Sequence, residues 1–166
     1  KYRDAIRTHL IDFSTMRVEG ECQSCQAMAL YYGAFEKSER ELAFAELLKM
    51  IHACDDHMDV GVLGGRVIFH VLTAFGCSDL AFRMITREDY PSYGNWIKRG
   101  ATTLWENFLP DGVSSMNHHF WGDISAWFIK CLAGICLTER QSVVIRPSFV
   151  KSLNSVTAYH ITPEGK

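Results

Sequence analysis

Ser38-Glu39-Arg40-Glu41-Leu42-Ala43-Phe44-Ala45-Glu46-Leu47-Leu48-Lys49-Met50-Ile51-His52-Ala53 is followed closely by His57-Met58-Asp59-Val60-Gly61-Val62-Leu63-Gly64-Gly65, and this change of texture decides the fold. Ser38 with Glu41 forms a capping-box pattern and opens a predicted helix from about Glu39 to Ala53. The second stretch is a glycine-rich loop. Its glycines at 61, 64 and 65 read as tight backbone turns, because no phosphate-binding pattern surrounds them. The same texture extends both ways. Upstream, Ile6, Leu10, Ile11 and Phe13 place a helix over about Tyr2–Phe13, and Ala27, Leu30, Tyr31 and Ala34 place another over Gln23–Phe35. Downstream, Gly65–Phe75 stops at Gly76, and Ser78 is expected to cap a helix over Asp79–Ile85. Between Arg87 and Gly112 the breakers Pro91, Gly94, Gly100 and Pro110 predict irregular structure or short strands. A last helix is expected over about His118–Leu137, with Trp121 and Trp127 in the core. Tight turns alternating with long loops (57–65 and 88–100) suit antiparallel helical hairpins whose long loops gather at one end, where function usually sits.

After Arg140 the chain turns β-branched: Val143-Val144-Ile145, then Val156-Thr157-Ala158-Tyr159-His160-Ile161 beyond Pro147. These read as two strands. Two strands alone rarely hold together in water, so they are expected to begin a β-sandwich.

The bulk numbers narrow the function classes. With 166 residues, 48% hydrophobic and 22% charged, the chain suits one globular domain. A net charge of −2 offers no basic stripe, so no nucleic-acid partner is expected. No apolar run reaches the roughly 20 residues that span a bilayer. The start, Lys1-Tyr2-Arg3-Asp4, has neither the apolar core of a signal peptide nor an initiator Met, so the chain reads as an internal piece of something longer. Six cysteines are present, and Cys22-Gln23-Ser24-Cys25 has the spacing of a zinc or redox pair. No second cysteine pair follows; free, buried thiols are expected, with no metal and no cofactor.

Gly100-Ala101-Thr102-Thr103-Leu104-Trp105-Glu106 and Ser115-Met116-Asn117-His118-His119-Phe120-Trp121-Gly122-Asp123 carry the chemistry. A lone carboxylate stands beside tryptophan, followed by an amide and two imidazoles. Such a set equips a sugar-processing cleft, in which rings cover the apolar face of a pyranose and Asn, His and Glu bond its hydroxyls. The other reading is a capped helix with a satisfied core histidine, and residue types alone leave both open.

Taken together, several blocks resemble the bacterial α-L-rhamnosidases of the (α/α)6-barrel kind: Asp56 to Gly65, Phe69-His70-Val71-Leu72, Tyr90-Pro91-Ser92-Tyr93-Gly94, Gly100 to Glu106, and Asn117-His118, in that order. Gln23 and Ala27 to Gly33 fit the same family upstream, and Ile145-Arg146-Pro147 to Gly165 is similar to the start of its C-terminal β-sandwich. The resemblance implies a mainly α fold, with residues 1–140 forming part of an (α/α)6 barrel of antiparallel hairpins and 141–166 the first strands of the sandwich. It implies removal of terminal α-L-rhamnose from glycosides with inversion, which needs two carboxyl groups roughly 6.5–9.5 Å apart. Glu106 matches the family's general base and His118 a rhamnose-binding residue. Tyr93, Asn117, Trp105 and Asp59 are further candidates for the sugar, with Thr102 or Asn117 expected to hydrogen-bond Glu106. The sequence departs from the family's pattern in two places. The general acid lies in an acidic, Arg- and Trp-containing motif absent from this chain, and Tyr93 stands where the family tends to have Trp.

Five or six helices make about half of such a barrel. The partners implied are a rhamnose-containing glycoside and the remaining half of the barrel, from the same protein or another chain. Alone, the chain is expected to be inactive; its compartment, bacterial cytoplasm or periplasm, stays open. The alternatives are another (α/α)6 carbohydrate-active enzyme, or a non-catalytic helical module binding carbohydrate or protein. A solenoid of the latter kind should repeat at a fixed period, and no repeat is visible.

Overall fold

The computed structural model describes residues 1–109, 114–138 and 142–161. Helix α1 (Tyr2–Leu10) buries no residue and is held by its arginines. Arg3 donates to the carbonyl of Gly33, and Arg7 to that of Ala34 and to both carboxylate oxygens of Glu39, at 2.7 and 2.9 Å. The helix stops three residues before the expected Phe13. Ile11–Asp12 (β1) instead pairs antiparallel with Arg17–Val18 (β2). The Asp12 carboxylate accepts from the Ser14 N–H and hydroxyl and from Thr15, which closes the turn, while Ile11 and Val18 enter the core.

α2 (Gln23–Tyr31) also ends early. Gly33 takes φ +72°, and Ala34 N–H reaches back to the Ala29 carbonyl at 2.8 Å, a Schellman-type stop that turns Ala34 and Phe35 inward. α3 (Arg40–Ala53) lies against α2 through Ala43, Leu47 and Ile51, one per helical turn. The expected capping box does not form: the N-cap is Glu39, whose side chain makes no cap bond because Arg7 and the Glu36 N–H hold its carboxylate.

Two buried glutamines join these pieces. Gln26, with no exposed surface, donates to the carbonyls of Met16 and Ala43 and accepts from Val18 N–H, so it ties the β1–β2 hairpin to α3 across α2. Gln23 donates to the His57 carbonyl at 3.1 Å and accepts from Asp59 N–H at 3.0 Å, anchoring the loop after α3.

The helix expected over Gly65–Phe75 is two: α4 (Val62–Gly65) and α5 (Ile68–Ala74). Gly64 and Gly65 are needed for close approach rather than for turns. A Cβ on Gly64 would lie 2.8 Å from Ser24 Cα, and one on Gly65 would lie 2.9 Å from Cε3 of Trp121. α6 (Ser78–Thr86) packs on α5; Ser78 is its first residue, not its cap. In the region expected to be irregular, α7 (Tyr93–Lys98) forms. Ser92 Oγ accepts from Asn95 N–H at 2.9 Å while donating to the carbonyls of Arg87 and Asp89. Gly94 lets α7 sit on the end of α6, where a Cβ would meet the Thr86 carbonyl at 2.6 Å.

The last helix is shorter and less regular than expected. A 3-10 turn over His119–Trp121 leads into α8 (Asp123–Trp127) and a wider π turn over Phe128–Leu132. Gly134, at φ +72°, then reverses the chain into β3 (Ile135–Leu137), which pairs antiparallel with β4 (Val143–Ile145). The expected partner of 143–145, Val156–Ile161, forms no strand. The expected boundary at 140–141 lies outside the described residues. The core runs along the hairpins, with Trp127 fully buried and its indole N–H directed at Phe69 O and Thr73 Oγ1.

The Arg7–Glu39 pair makes α1 acid-sensitive. The guanidinium holds the Glu39 carboxyl down at about 2, against an ordinary 4.5. The unfolded chain therefore binds more protons between those two values, so the pair's contribution is complete above about pH 4.5 and lost as pH falls toward 2. Arg7→Met is expected to flatten the fall of the urea midpoint across that window; a slope equal to the parent's would show that the pair contributes nothing.

Candidate functional site

Beyond α7 the chain doubles back on itself. Glu106 N–H donates to Ser115 O at 2.8 Å and His118 N–H to Leu104 O at 2.7 Å, so 104–106 and 115–118 run as a short antiparallel pair. Thr103 Oγ1 adds a diagonal bond to Met116 O. This pairing brings the two candidate stretches together, although residues 110–113 between them are not described. Ser115 N–H donates to Glu106 Oε2 at 2.9 Å, and His118 Nδ1 stands 4.0 Å from the same oxygen. The Glu106 side chain is 47% exposed and that of His118 22%. A half-solvated carboxylate with one oxygen held and an imidazole alongside can accept a proton from water or bond a ligand hydroxyl. The donor to Glu106 is the Ser115 backbone, where Thr102 or Asn117 was expected.

An aromatic wall backs this pair. Trp96 stacks on Phe108 at 4.0 Å, and its N–H reaches Asn107 O. Trp105 lies beside Trp96 and under the Arg99 guanidinium, half-buried. Tyr93, expected to face the sugar, sits within this wall and borders the apolar groove along Trp96 and Leu104. It is 8% exposed, ringed by Phe69, Trp96, Phe108 and Trp121, and its hydroxyl donates to Trp121 O. Burial accordingly raises its phenol above the ordinary range. The ring stays inside because its one polar atom finds a carbonyl there.

Asn117 is exposed, its backbone bracketed by Ser115 Oγ. Asp59 is exposed on the loop that Gln23 anchors. His119 and Phe120, whose rings neighbour His118, line a hollow of about 370 Å³ with Val62, Leu63, Arg66 and Asp123. A larger apolar groove of about 630 Å³ runs along Ile85, Trp96, Ile97, Leu104 and Phe128.

Two groupings escaped the sequence reading. The first is Trp121, whose N–H donates to Glu106 O at 2.9 Å. The only hint in the sequence was that a buried indole must find an acceptor. The second is a line from Cys131 Sγ to His70 Nδ1 (3.2 Å) and from His70 Nε2 to Asp123 Oδ2 (3.1 Å). It has the order of a thiol–imidazole–carboxylate triad, but burial pushes the thiol up to about 11, away from the lowered range of a reactive cysteine. All six cysteines are free, Cys22 and Cys25 with sulfurs 3.1 Å apart. Among the described residues no three His, Cys, Asp or Glu side chains gather closely enough to hold a metal ion.

Residues 1–132 match the bacterial alpha-L-rhamnosidase 6 hairpin glycosidase domain, and the chain belongs to that family. It is 30% identical to an alpha-L-rhamnosidase of Alteromonas sp. (strain LOR) over 97% of its own length and 19% of the relative's. Among solved structures it is similar to the Streptomyces avermitilis alpha-L-rhamnosidase complexed with L-rhamnose, with TM-score 0.81 and 33% identity over 87% of this chain and 15% of that one. It is similar also to the alpha-L-rhamnosidase of Dictyoglumus thermophilum, with TM-score 0.71 and 30% identity over 81% of this chain and 16% of that one. The chain thus spans less than a fifth of the length of these relatives.

Proposed function

We propose that this chain is one part of the catalytic barrel of an α-L-rhamnosidase, a glycoside hydrolase that removes terminal α-L-rhamnose with inversion. Residues 1–140 belong to the barrel and 141–166 begin the β-sandwich that follows. The observation that carries this reading is the Glu106 carboxylate, oriented by Ser115 N–H with His118 Nδ1 at 4.0 Å, in a chain of the rhamnosidase family. Glu106 is the general base that takes a proton from the attacking water. His118, with Asn117 beside it, bonds the hydroxyls of the sugar. Trp105 offers an apolar ring face, and Asp59 offers a second acceptor from the neighbouring loop. The general acid comes from outside this chain, supplied with the remaining helices by the same polypeptide or another, so the isolated chain is inactive. The relatives' names and their much greater length support this reading.

The test uses the full-length protein that carries this chain, with a panel of aryl glycosides. Turnover is expected on the aryl α-L-rhamnoside, with the other sugars slower by at least about a hundredfold, because a site built to bond particular hydroxyls rejects analogues that lack them. Proton NMR during the reaction should show β-L-rhamnose as the first product. Preference for a different sugar would assign the chain to another carbohydrate-active class, and α-L-rhamnose appearing first would exclude inversion.

A further inference from the structure

We propose that Trp121 is the positioning residue for Glu106: its buried indole N–H clamps the glutamate's own carbonyl and so sets the direction in which the carboxylate leaves the loop. This inference rests on the reading of Glu106 as the general base.

The geometry leaves Trp121 little freedom. It is 6% exposed, its ring lies so close on Gly65 that a Cβ there would meet Cε3 at 2.9 Å, and Phe108 meets it edge-on at 4.7 Å. Its own carbonyl accepts from the Tyr93 hydroxyl at 3.1 Å. A donor fixed at both ends of the residue presents its N–H in one direction, and that direction is Glu106 O, at 2.9 Å. Among the described residues the Glu106 N–H goes to Ser115 O, its carbonyl to the indole, and Oε2 accepts from Ser115 N–H; in this proposal Oε1 is the oxygen that meets the water. A base gains its rate from being held at the proton it removes, so loosening this peptide should slow the chemical step without weakening ligand binding.

The experiment compares Trp121→Phe with Trp121→benzothienylalanine in the full-length protein, by steady-state kinetics on an aryl α-L-rhamnoside, with Glu106→Gln run alongside. Benzothienylalanine keeps the shape of the ring and replaces only the N–H by sulfur. Both variants are expected to lose about tenfold to a hundredfold in kcat with KM within about twofold of the parent's. Should the Phe variant fail to fold, the isosteric one carries the test. Parent-like kcat with benzothienylalanine, or a loss carried by KM, overturns the proposal and leaves Trp121 a packing residue. An active Glu106→Gln variant instead removes the base reading itself, and the positioning role with it.

Discussion

Glu106→Gln, made in the full-length protein that carries this chain, is expected to lower kcat on an aryl α-L-rhamnoside by about 10²–10⁴-fold, the range a positioned general base contributes. The substitution is nearly isosteric, and the amide oxygen can still accept from Ser115 N–H, which reaches Oε2 at 2.9 Å in the parent. The side chain is 47% exposed, so no buried charge is removed and the melting temperature should move little. KM should change by less than the turnover, because the ligand contacts assigned to His118 and Asn117 remain. Turnover within about tenfold of the parent's would take Glu106 out of the chemistry. His118 would then have to be reconsidered as part of an ordinary loop, because its closeness to Oε2, at 4.0 Å, is the reason for grouping the two.

The second large effect is on stability. Gln26→Ala is expected to cost about 3–5 kcal/mol, read from urea denaturation monitored by circular dichroism. The change strands Val18 N–H and the Met16 carbonyl, which face a fully buried side chain, and takes a second bond from the Ala43 carbonyl, which keeps its place in the α3 ladder. Each stranded group costs about 1–3 kcal/mol when water cannot reach it. Some relaxation toward water is expected, because Met16 lies at the hairpin turn, half-buried. Gln26→Met separates the two causes: it fills the volume but offers no hydrogen bond. A loss under about 1 kcal/mol in the Met variant would show that the space and not the amide matters at this position. A domain with a total stability of about 5–15 kcal/mol has little to spare beyond such a loss.

Helices α2, α3, α5 and α6 were legible in the sequence because apolar residues recur once per turn, and that recurrence survives whatever the helix packs against. Their ends were less legible, for reasons visible at particular residues. Ser38 and Glu41 have the capping-box spacing, yet Arg7, some thirty residues upstream, draws the neighbouring Glu39 into an ion pair and the helix starts without the box. Pro91 and Gly94 look like breakers, but α7 begins between them because Ser92 caps it and the glycine allows it to rest on the carbonyls ending α6. The β-branched runs near the C-terminal end promised two strands. One of them, Val143–Ile145, found its partner in Ile135–Leu137, which the helical period had claimed.

The candidate site divides the same way. The carboxylate, the imidazole and Trp105 stand in two stretches of sequence whose residue types suggested a sugar site before any fold was known, whereas Trp96 and Phe108 of the aromatic wall come from outside them. How far Tyr93 is buried was not legible, because a tyrosine's exposure depends on whether its hydroxyl finds an acceptor inside, and Trp121 O provides one.

By itself the sequence determined the helical class, the family and the two stretches that carry polar chemistry, because periodicity and residue type are local properties and several motif blocks in one order are specific. Only the tertiary structure decided that 104–106 lies against 115–118, that a backbone N–H of Ser115 holds the carboxylate, and that Trp121 grips the same residue from behind. Those contacts are made by backbone groups and by side chains distant along the chain. A hydrogen bond between such groups leaves no mark in residue identity until the core has brought them together.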